Sequence, residues 1–271
     1  MKTRITLVAG GLLVFAIVAL AAVSVVWTPQ DPTHIDAAQR LAPTGNGHLL
    51  GTDQFGRDLA SRLMAGAQVT VFVCVVAVGI ALLIGVPMGI AAGMSGSWPG
   101  ALIMRVNDFL LAFPALLLAI MLTAVYGSST FIAMVAIGVA SAPGFARVSR
   151  AATLRVMALE YIDAARLARR TRLAIACRHV LPNVADVVIV QASVSFATAI
   201  LAEAALSYLG LGTPPPTPSW GRMLQESQDL LFSHPELCLW PGLAIAGAVL
   251  GLNLLGDGLR DRVDPTLEGV R

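Results

Sequence analysis

Six long apolar stretches divide the chain and leave it few ways to fold. A helix needs roughly 20 apolar residues to cross a hydrocarbon core about 30 Å thick. The stretches near that length are residues 5–27, 69–93, 103–125, 130–147, 187–206 and 238–256. Because 56% of the 271 residues are hydrophobic and only 13% are charged, the chain is too apolar for a soluble globule. We therefore predict an all-α, polytopic integral membrane protein with six transmembrane helices.

The distribution of cations predicts how these spans are oriented. With the N-terminus inside, 14 of the 18 Lys and Arg residues fall in inner segments, and the outer loops hold only Arg40, Arg57, Arg62 and Arg222. Positive charge accumulates on the cytoplasmic side of membrane proteins. The first apolar stretch runs on to Trp27 and no soluble domain follows it, so we expect a retained span rather than a cleaved signal peptide. The predicted location is the cell (plasma or inner) membrane, with multiple passes and both termini cytoplasmic.

The sequence lacks the residue patterns of an enzyme active site. A P-loop needs a Lys that reaches the β and γ phosphates, and the one Lys of this chain is Lys2. The four His residues form no HExxH pattern, and the three Cys residues form no CxxC pattern. A net charge of +2 gives no basis for nucleic-acid binding. We predict a non-catalytic membrane subunit that binds no cofactor, no metal and no nucleic acid.

A polar, Arg-rich segment separates the fourth and fifth apolar stretches. Eight Arg residues lie between Arg147 and Arg178. Glu160, Asp163 and Arg166 follow one another at spacings of three among good helix formers, which places them on one helical face. We predict that Thr171 caps a second short helix and that Pro182 ends it. Two short helices joined by a turn would form a compact knob, residues 160–182, which could dock a soluble partner on the cytoplasmic side.

The order of residues in the knob resembles a known family. Asp163-Ala164-Ala165, followed after a junction by Arg178-His179-Val180-Leu181-Pro182-Asn183, is similar to the EAA coupling loop of ABC-importer permeases. Four further segments resemble, in order, the C-type permease subunit of dipeptide, oligopeptide and nickel importers. These segments are residues 48–67, 105–120, 200–224 and 253–265.

The resemblance implies the type I ABC-importer permease fold, a function and a set of partners. Residues 1–68 would hold the first span and an extracytoplasmic elbow, and residues 69–271 would form the permease domain, with a coupling loop at about 148–186 and a cytoplasmic C-terminal tail. The implied partners are a homologous second permease, two cytoplasmic ATPase subunits or domains that hold ATP and Mg, and an extracytoplasmic substrate-binding protein. The implied substrates are short peptides, with nickel or another small solute as the alternative. A secondary transporter, a different class of protein, is the other alternative.

The resemblance also implies which residues act in coupling to the ATPase. They are Glu160, Asp163, Ala164, Ala165, Arg166, Arg169, Arg170, His179, Leu181 and Pro182. The family usually has Gly at the junction where this chain has Arg169, and Gly reaches a left-handed turn without steric penalty. Either the turn is built differently here or the first helix runs on. Arg169 and Arg170 could reach acidic groups on the ATPase, or could be positive-inside charges beside anionic lipid.

Other residues of the spans and outer loops leave two interpretations open. Glu203, near the outer end of the fifth span, could belong to the translocation path or a gate, or could pair with a polar group. We expect Asp108 to pair with nearby Arg105. The Pro-rich segment 214–220 could contact a binding protein or form a rigid connection. Gly79, Gly85, Gly89 and Gly93 predict close helix packing in the second span.

Overall fold

The computed structural model describes residues 2–45 and 47–263, and they fold into helices joined by short connections. In chain order the α-helices are α1 (Lys2–Val26), α2 (Leu59–Met94), α3 (Ser97–Leu111), α4 (Ala115–Tyr126), α5 (Thr130–Met157), α6 (Glu160–Leu167), α7 (Arg172–Ile175), α8 (Leu181–Tyr208), α9 (Trp220–Ser227) and α10 (Glu236–Val263). A π-helical turn, Ala176–Val180, joins α7 to α8. The all-α prediction is confirmed. Most of the predicted C-terminal tail, residues 264–271, lies outside the described residues.

Among the residues that the structure describes, five helical segments are long and apolar enough to cross a membrane. They are Ile5–Val26, Leu59–Met94, Thr130–Met157, Arg172–Tyr208 and Glu236–Arg262. Each contains one of the predicted spans almost entirely, but several extend well beyond it. The second begins ten residues before the predicted start at 69, so the predicted boundary between residues 68 and 69 falls inside α2. The third, Thr130–Met157, ends ten residues after the predicted end of the fourth span at 147, because polar residues continue a helix as readily as apolar ones once it is formed.

The third predicted span, 103–125, is not one helix. It consists of parts of α3 and α4, which meet at an angle of 80°. The break lies at Ala112–Pro114, because Pro114 cannot donate a backbone hydrogen bond and its ring disfavours a helical conformation in Phe113. Counted as one span, this bent pair brings the total to six.

The directions of α2 and α5 show that the bent pair carries the chain back across the bundle. Gly138 of α5 lies against Ala77 of α2, and further along both helices Gly89 of α2 lies against Ala146 of α5. Residue numbers rise together, so the two helices run parallel. The chain leaves the end of α2 at Met94 and must return before α5 begins at Thr130. The helices α3 and α4 make that return.

Glycines allow α2 and α5 to approach closely. A Cβ atom added to Gly85 or Gly89 would collide with a backbone carbonyl oxygen of α5, and one added to Gly93 would lie 2.6 Å from a methyl carbon of Thr153. A Cβ on Gly79 would meet no atom within 4 Å. The prediction of close packing is therefore confirmed for three of the four glycines. Helices in lipid have no hydrophobic driving force for association. Small residues at such contacts let the backbones approach closely, so that van der Waals packing stabilises the pair.

The remaining helices place both described ends of the chain at one end of the bundle. The helix α10 begins beside α9, where the Cys238 thiol contacts the carbonyl oxygen of Ser227, and runs back so that Gly256 lies against Ser193 of α8. The helix α1 packs antiparallel to α10, with Gly10 against Leu255. The start of α1, the end of α10 and the helices α6 and α7 therefore share one end. The connection 28–58 and α9 lie at the other.

Candidate functional site

The knob consists of two short helices that project from the end of α5 and lead into α8. A turn at residues 168–171 separates α6 from α7, and the Thr171 hydroxyl caps α7 by accepting a hydrogen bond from the backbone N–H of Ala174 at 3.2 Å. Ile162 and Val180 are fully buried and Ile175 is 3% exposed. These apolar side chains fix the knob to the bundle. The predicted first short helix and the Thr171 cap are confirmed.

The turn between the helices is left-handed although its key residue is an arginine. Arg169 has φ +54°. The N–H of Arg170 donates to the carbonyl oxygen of Ala165 at 3.2 Å, and the N–H of Arg169 donates to that of Arg166 at 2.9 Å. This pair of bonds is the Schellman motif, which usually has Gly at the left-handed position. We had expected that either the turn is built differently here or the first helix runs on. Both expectations were wrong, because the helix ends at Leu167 and Arg169 adopts the conformation that Gly would take.

We had expected Pro182 to end the second short helix, and this expectation was wrong. The chain continues from α7 through the π-helical turn Ala176–Val180 into α8 as one apolar segment, Arg172–Tyr208. Pro182 occupies the first turn of α8, where a missing N–H is tolerated. The wider π turn just before it avoids the clash that a regular helix would suffer. The knob is therefore joined directly to a membrane-spanning helix.

The predicted coupling residues divide between the surface of the knob and its root. Glu160, Asp163, Ala164, Arg166, Arg169 and Arg170 are exposed, whereas Ala165 is 9% exposed and faces the bundle. His179 lies at the root with its ring 5.9 Å from that of Tyr161, which links the π turn to α6. Leu181 and Pro182 are exposed where the segment enters α8. The structure thus brings the predicted α6 residues together with Arg169 and Arg170 of the turn. His179, Leu181 and Pro182 lie apart from them at the root of the knob.

Charge and apolar surface are both concentrated at the tip of the knob. Asp163 and Arg166 form an exposed ion pair at 2.8 Å, and the acidic residues of α6 lie in its first turn while Arg166 lies in its last, as the helix dipole favours. At the end of α6 Leu167 is 86% exposed, and in α7 Leu173 is 73% exposed. Two large apolar side chains this exposed, on either side of the polar turn 168–171, mark a candidate interaction surface.

Glu203 lies near the opposite end of the bundle and is enclosed by hydroxyl groups. Its side chain is 1% exposed. The Ser207 hydroxyl donates to it at 2.8 Å, and the Thr70 hydroxyl of α2 donates at 3.3 Å. Ser207 in turn accepts from the backbone N–H of Thr213. Glu203 therefore joins α8 to α2 and to the loop after α8, and its role in transport stays a prediction.

A buried ionic network at the same end was not predicted. Asp53 and Arg57 pair at 2.7 Å, and Glu226 of α9 pairs with Arg57 at 2.6 Å and with Arg62 at 2.8 Å. Burial alone would raise the pKa of Glu226, but the guanidinium groups of Arg62 and Arg57 and hydrogen bonds from Arg222 and Arg57 outweigh it and hold the pKa below its usual value. The network ties the connection 28–58 to α9.

The composition of this cluster points to a structural role. Within residues 2–45 and 47–263, His, Cys, Asp and Glu side chains form no group of three that could hold a metal ion. In the network the carboxylates of Asp53 and Glu226 are instead balanced by arginines. Close charges at Asp53, Arg57 and Arg62 in an apolar chain were the only signal in the sequence, and Glu226 is too distant along the chain to be found from it.

Two further contacts revise the sequence interpretation. Trp220, which closes the Pro-rich segment, is fully buried, and its indole N–H donates to the carbonyl oxygen of Leu63 at 3.0 Å. This burial anchors one end of the Pro-rich segment, while Pro214, Pro215 and Pro216 are exposed, so both interpretations of the segment stay predictions. Asp108 pairs with Arg147 of α5 at 3.2 Å rather than with Arg105. The ion pair thus joins two helices, which local spacing on α3 could not reveal.

Comparison with known proteins gives consistent matches. The sequence model of a family described as "binding-protein-dependent transport system inner membrane component" matches residues 85–269. A putative peptide transport system permease protein of Brucella suis is 43% identical over 95% of this chain and 87% of its own length. The di/tripeptide transport system permease protein DppC of Pseudomonas aeruginosa is 41% identical over 96% and 88%.

A solved structure supports the fold independently. A chain of the MetNI methionine ABC transporter, in an inward-facing conformation, superposes with a TM-score of 0.61 at 18% identity. The match covers 74% of this chain and 96% of that one. At this identity the likeness concerns the fold, which is that of an ABC-importer permease.

Proposed function

Because the chain belongs to the family of binding-protein-dependent transport system inner membrane components, we propose that it is the membrane-spanning permease subunit of an ATP-driven importer of short peptides. The relatives named as peptide permeases match almost its whole length. Its helices have the arrangement of an importer permease. A non-catalytic role agrees with a sequence whose one lysine, Lys2, precedes the first span. We expect ATP and Mg to be held by the ATPase subunits and no cofactor to be held by this chain.

The observation that carries this proposal is the direct connection between the knob and α8. From Arg172 to Tyr208 the chain forms one helical segment of 37 residues, about 55 Å long at 1.5 Å per residue. Its first turn belongs to the knob and its last turns hold Glu203. Movement of the knob would therefore be transmitted to the far end of the bundle. We infer that the ATPase subunits move the knob when they close on nucleotide, and that the spans then alternate between inward-open and outward-open arrangements.

The other partners follow from the two ends of the bundle. The knob end carries most of the Arg residues, and cations accumulate on the cytoplasmic side, so we place the knob, the start of α1 and the end of α10 in the cytoplasm. The end that carries α9 and the connection 28–58 then faces the substrate-binding protein. A homologous second permease would supply the other half of the translocation path. Substrate passes without chemical change.

A natural cysteine provides a test of orientation. Cys177 is exposed on the knob, whereas Cys74 is buried. A membrane-impermeant thiol reagent should label Cys177 in inside-out vesicles and leave it unlabelled in right-side-out vesicles. The variant Cys177→Ser, with Cys238 retained, measures the background. Labelling of Cys177 from the outside would refute the proposed orientation and the docking of a cytoplasmic ATPase.

Transport itself is tested with the reconstituted importer. The chain, its second permease, the ATPase subunits and the binding protein are placed in proteoliposomes, and uptake of a labelled dipeptide or tripeptide is measured with ATP and with a non-hydrolysable analogue. We expect uptake with ATP and no uptake with the non-hydrolysable analogue. Uptake driven by an ion gradient without ATPase subunits would favour a secondary transporter, and ATP-dependent uptake of nickel without uptake of peptide would favour the metal or small-solute alternative.

A further inference from the structure

Four membrane-spanning helices surround an apolar space that the proposed function does not use. The helix α1 packs against α2 and α10, and both of these pack against α8, so α1 and α8 face each other across a gap. This gap, the crevice, has a volume of about 330 Å³. None of the described residues that line it is charged, and the Ser193 hydroxyl in its wall already donates to the carbonyl oxygen of Val190. Such a space offers water no free polar partner and suits an apolar ligand.

The crevice opens sideways between α1 and α2. Val18 of α1 and Val75 of α2 line it, yet they are 47% and 52% exposed. Gly11 lies two helical turns before Val18, and Gly79 lies one turn after Val75, which places each glycine on the crevice side of its helix. A Cβ atom added to either glycine would meet no atom within 4 Å. The opening therefore continues as a groove toward the knob end of the bundle.

Close contacts elsewhere hold α1 in place and keep the crevice open. A Cβ atom added to Gly10 would lie 2.5 Å from the backbone nitrogen of Leu255, and one added to Gly251 would lie 2.8 Å from a side chain of α1. At the end opposite the knob, the Ser61 hydroxyl of α2 accepts a hydrogen bond from the backbone N–H of Gln30 at 2.8 Å. These contacts fix α1 against α10 along one side and against α2 at one end. The crevice is therefore pre-formed.

The crevice extends from the middle of the membrane toward the knob end. On α10 its lining runs from Ala248 to Leu255. From Ala248 to Asp257, the first charged residue after Glu236, the helix rises about 14 Å, close to half of a hydrocarbon core about 30 Å thick. Arg262 lies two turns beyond Leu255 on the same face and is exposed. A cation therefore lies where the headgroups of that leaflet begin.

The size of the space favours an acyl chain over a helix of a neighbouring subunit. An α-helix with its side chains is about 10–12 Å across and would cover the opening rather than enter it. An apolar cavity of about 150 Å³ holds a benzene ring, so a space about twice as large has room for about a dozen methylene groups. A chain in the crevice would restore the dispersion contacts that its lining lacks when empty.

We propose that a phospholipid of the leaflet at the knob end inserts one acyl chain into the crevice and places its phosphate beside Arg262. Within residues 2–45 and 47–263, Arg262 forms no ion pair, so the phosphate supplies the missing negative charge. The inference goes beyond the proposed function and rests on it only for naming that leaflet as the cytoplasmic one. The bound chain fills the gap between α1 and α8.

Photochemical labelling of the assembled importer tests this inference directly. The chain, its second permease and the ATPase subunits are placed in nanodiscs that contain a phosphatidylglycerol with a diazirine near the end of one acyl chain. After illumination, adducts are mapped by mass spectrometry. We expect adducts on Phe196, in the wall of the crevice that α8 forms, as well as on Phe15, which is 71% exposed on α1. Any surrounding lipid reaches Phe15, so its labelling normalises the signal.

The open glycines allow the groove to be filled. Gly11→Leu/Gly79→Leu places two side chains in the path of the acyl chain and should reduce adducts on Phe196 about tenfold relative to Phe15. Gly247→Leu is the matched control, because a Cβ atom at Gly247 also meets no atom within 4 Å but the residue does not line the crevice. This control should be labelled like wild type. Peptide uptake by each variant verifies that it is folded and assembled.

Charge removal at Arg262 tests the headgroup contact. Arg262→Gln should lower labelling of Phe196 by the phosphatidylglycerol probe about two- to fivefold at low ionic strength. Labelling by the methyl ester of a diazirine fatty acid, which carries no charge, should stay unchanged. Arg260→Gln is the control, since Arg260 is also exposed near the end of α10 but lies on a different face from Leu255.

The outcomes separate this inference from the proposed function. Adducts on Phe15 without adducts on Phe196 in a wild-type importer that takes up peptide would show that lipid only surrounds the protein, and would overturn the inference alone. Equal labelling of Phe196 in wild type and Gly11→Leu/Gly79→Leu would also overturn it. An Arg262→Gln variant labelled by phosphatidylglycerol like wild type would overturn the phospholipid as the occupant. A wild-type complex without peptide uptake would contradict the proposed function and leave the labelling result standing.

Discussion

Arg62 of α2 and Glu226 of α9 form an ion pair at 2.8 Å although 164 residues separate them. The Arg62 side chain is 1% exposed, and its ε nitrogen also lies 3.5 Å from Asp53. Glu226 binds Arg57 and Arg222 as well. One carboxylate therefore joins the start of a membrane-spanning helix to the short helix α9, which follows three spans later. The end of the bundle that faces the binding protein in our proposal is held as one unit.

Replacing one member of this buried network should destabilise the protein strongly. Arg62→Met leaves Glu226 and Asp53 without part of their neutralising charge, and removal of one partner from a buried ion pair typically costs about 3–5 kcal/mol. Arg222→Ala removes a single, more exposed contact and should cost less than about 1 kcal/mol. Thermal unfolding in detergent measures both. Equal stabilities of the two variants would show that the network contributes no more than a surface pair.

The network should also make stability depend on pH in the acidic range. The pKa of Glu226 is lower in the folded protein than in the unfolded chain. Its contribution is therefore fully present above the unfolded pKa of about 4.3 and is lost as the pH falls through the folded value. In Glu226→Gln the melting temperature should be lower at pH 7 and should fall less between pH 5 and the acid limit than in wild type. A parallel pH dependence of wild type and variant would contradict this.

The glycine contacts of α2 give a prediction about packing. Gly89→Ala would drive a methyl group into the carbonyl oxygen of Ala146, and overpacking of this kind costs about 1–3 kcal/mol. Gly79→Ala meets open space and, because Ala favours a helix over Gly, should leave stability unchanged or raise it slightly. The two variants differ only in position on one helix. If both lowered the melting temperature equally, close approach of α2 and α5 would not explain the effect.

Features set by local sequence were predicted, and features set by distant contacts were not. Hydropathy alone located the apolar part of each span, and the polar composition of residues 160–171 located α6 and the Thr171 cap, because both signals act over a few turns of helix. The partner of Asp108 lies 39 residues away on α5. The Arg62–Glu226 pair depends on how α9 folds back onto α2. No spacing rule within one segment contains that information.

Two prolines act differently from what the sequence analysis expected. Pro114 marks the bend between α3 and α4, and the apolar run through it had concealed the break. Pro182 was expected to end a helix, but it lies in the first turn of α8, just after a π turn. The difference follows from what precedes each residue, since a proline is compatible with a helix where the N–H it lacks has no partner to lose.

Arg169 allows the cost of the left-handed turn to be separated from the role of its charge. Arg169→Gly removes the steric penalty of a β-carbon at φ +54° and should stabilise the knob by about 0.5–1 kcal/mol. Ala168→Gly, next to it in a right-handed conformation, should destabilise α6 by a similar amount because Gly gains freedom in the unfolded chain. Hydrogen exchange of the α6 amides measures both. Reduced protection in Arg169→Gly would show that the arginine itself stabilises the turn.

The contact between Glu203 and Thr70 offers a test of gating at the end of the bundle opposite the knob. The Ser207 and Thr70 hydroxyls donate to different oxygens of Glu203, and in Glu203→Gln one of those oxygens becomes an NH2 group, which cannot accept a hydrogen bond. If α2 and α8 separate at this point during transport, the substitution shifts that equilibrium. We then expect peptide uptake to change several-fold while the melting temperature stays close to that of wild type.

Glu203→Ala should instead lower stability by about 1–3 kcal/mol, because the hydroxyls of Thr70 and Ser207 lose their buried partner. Ser193→Ala, which removes a buried hydroxyl bonded only within α8, controls for burial alone. Normal uptake by Glu203→Gln would leave Glu203 as a structural link between the two helices and refute a gate.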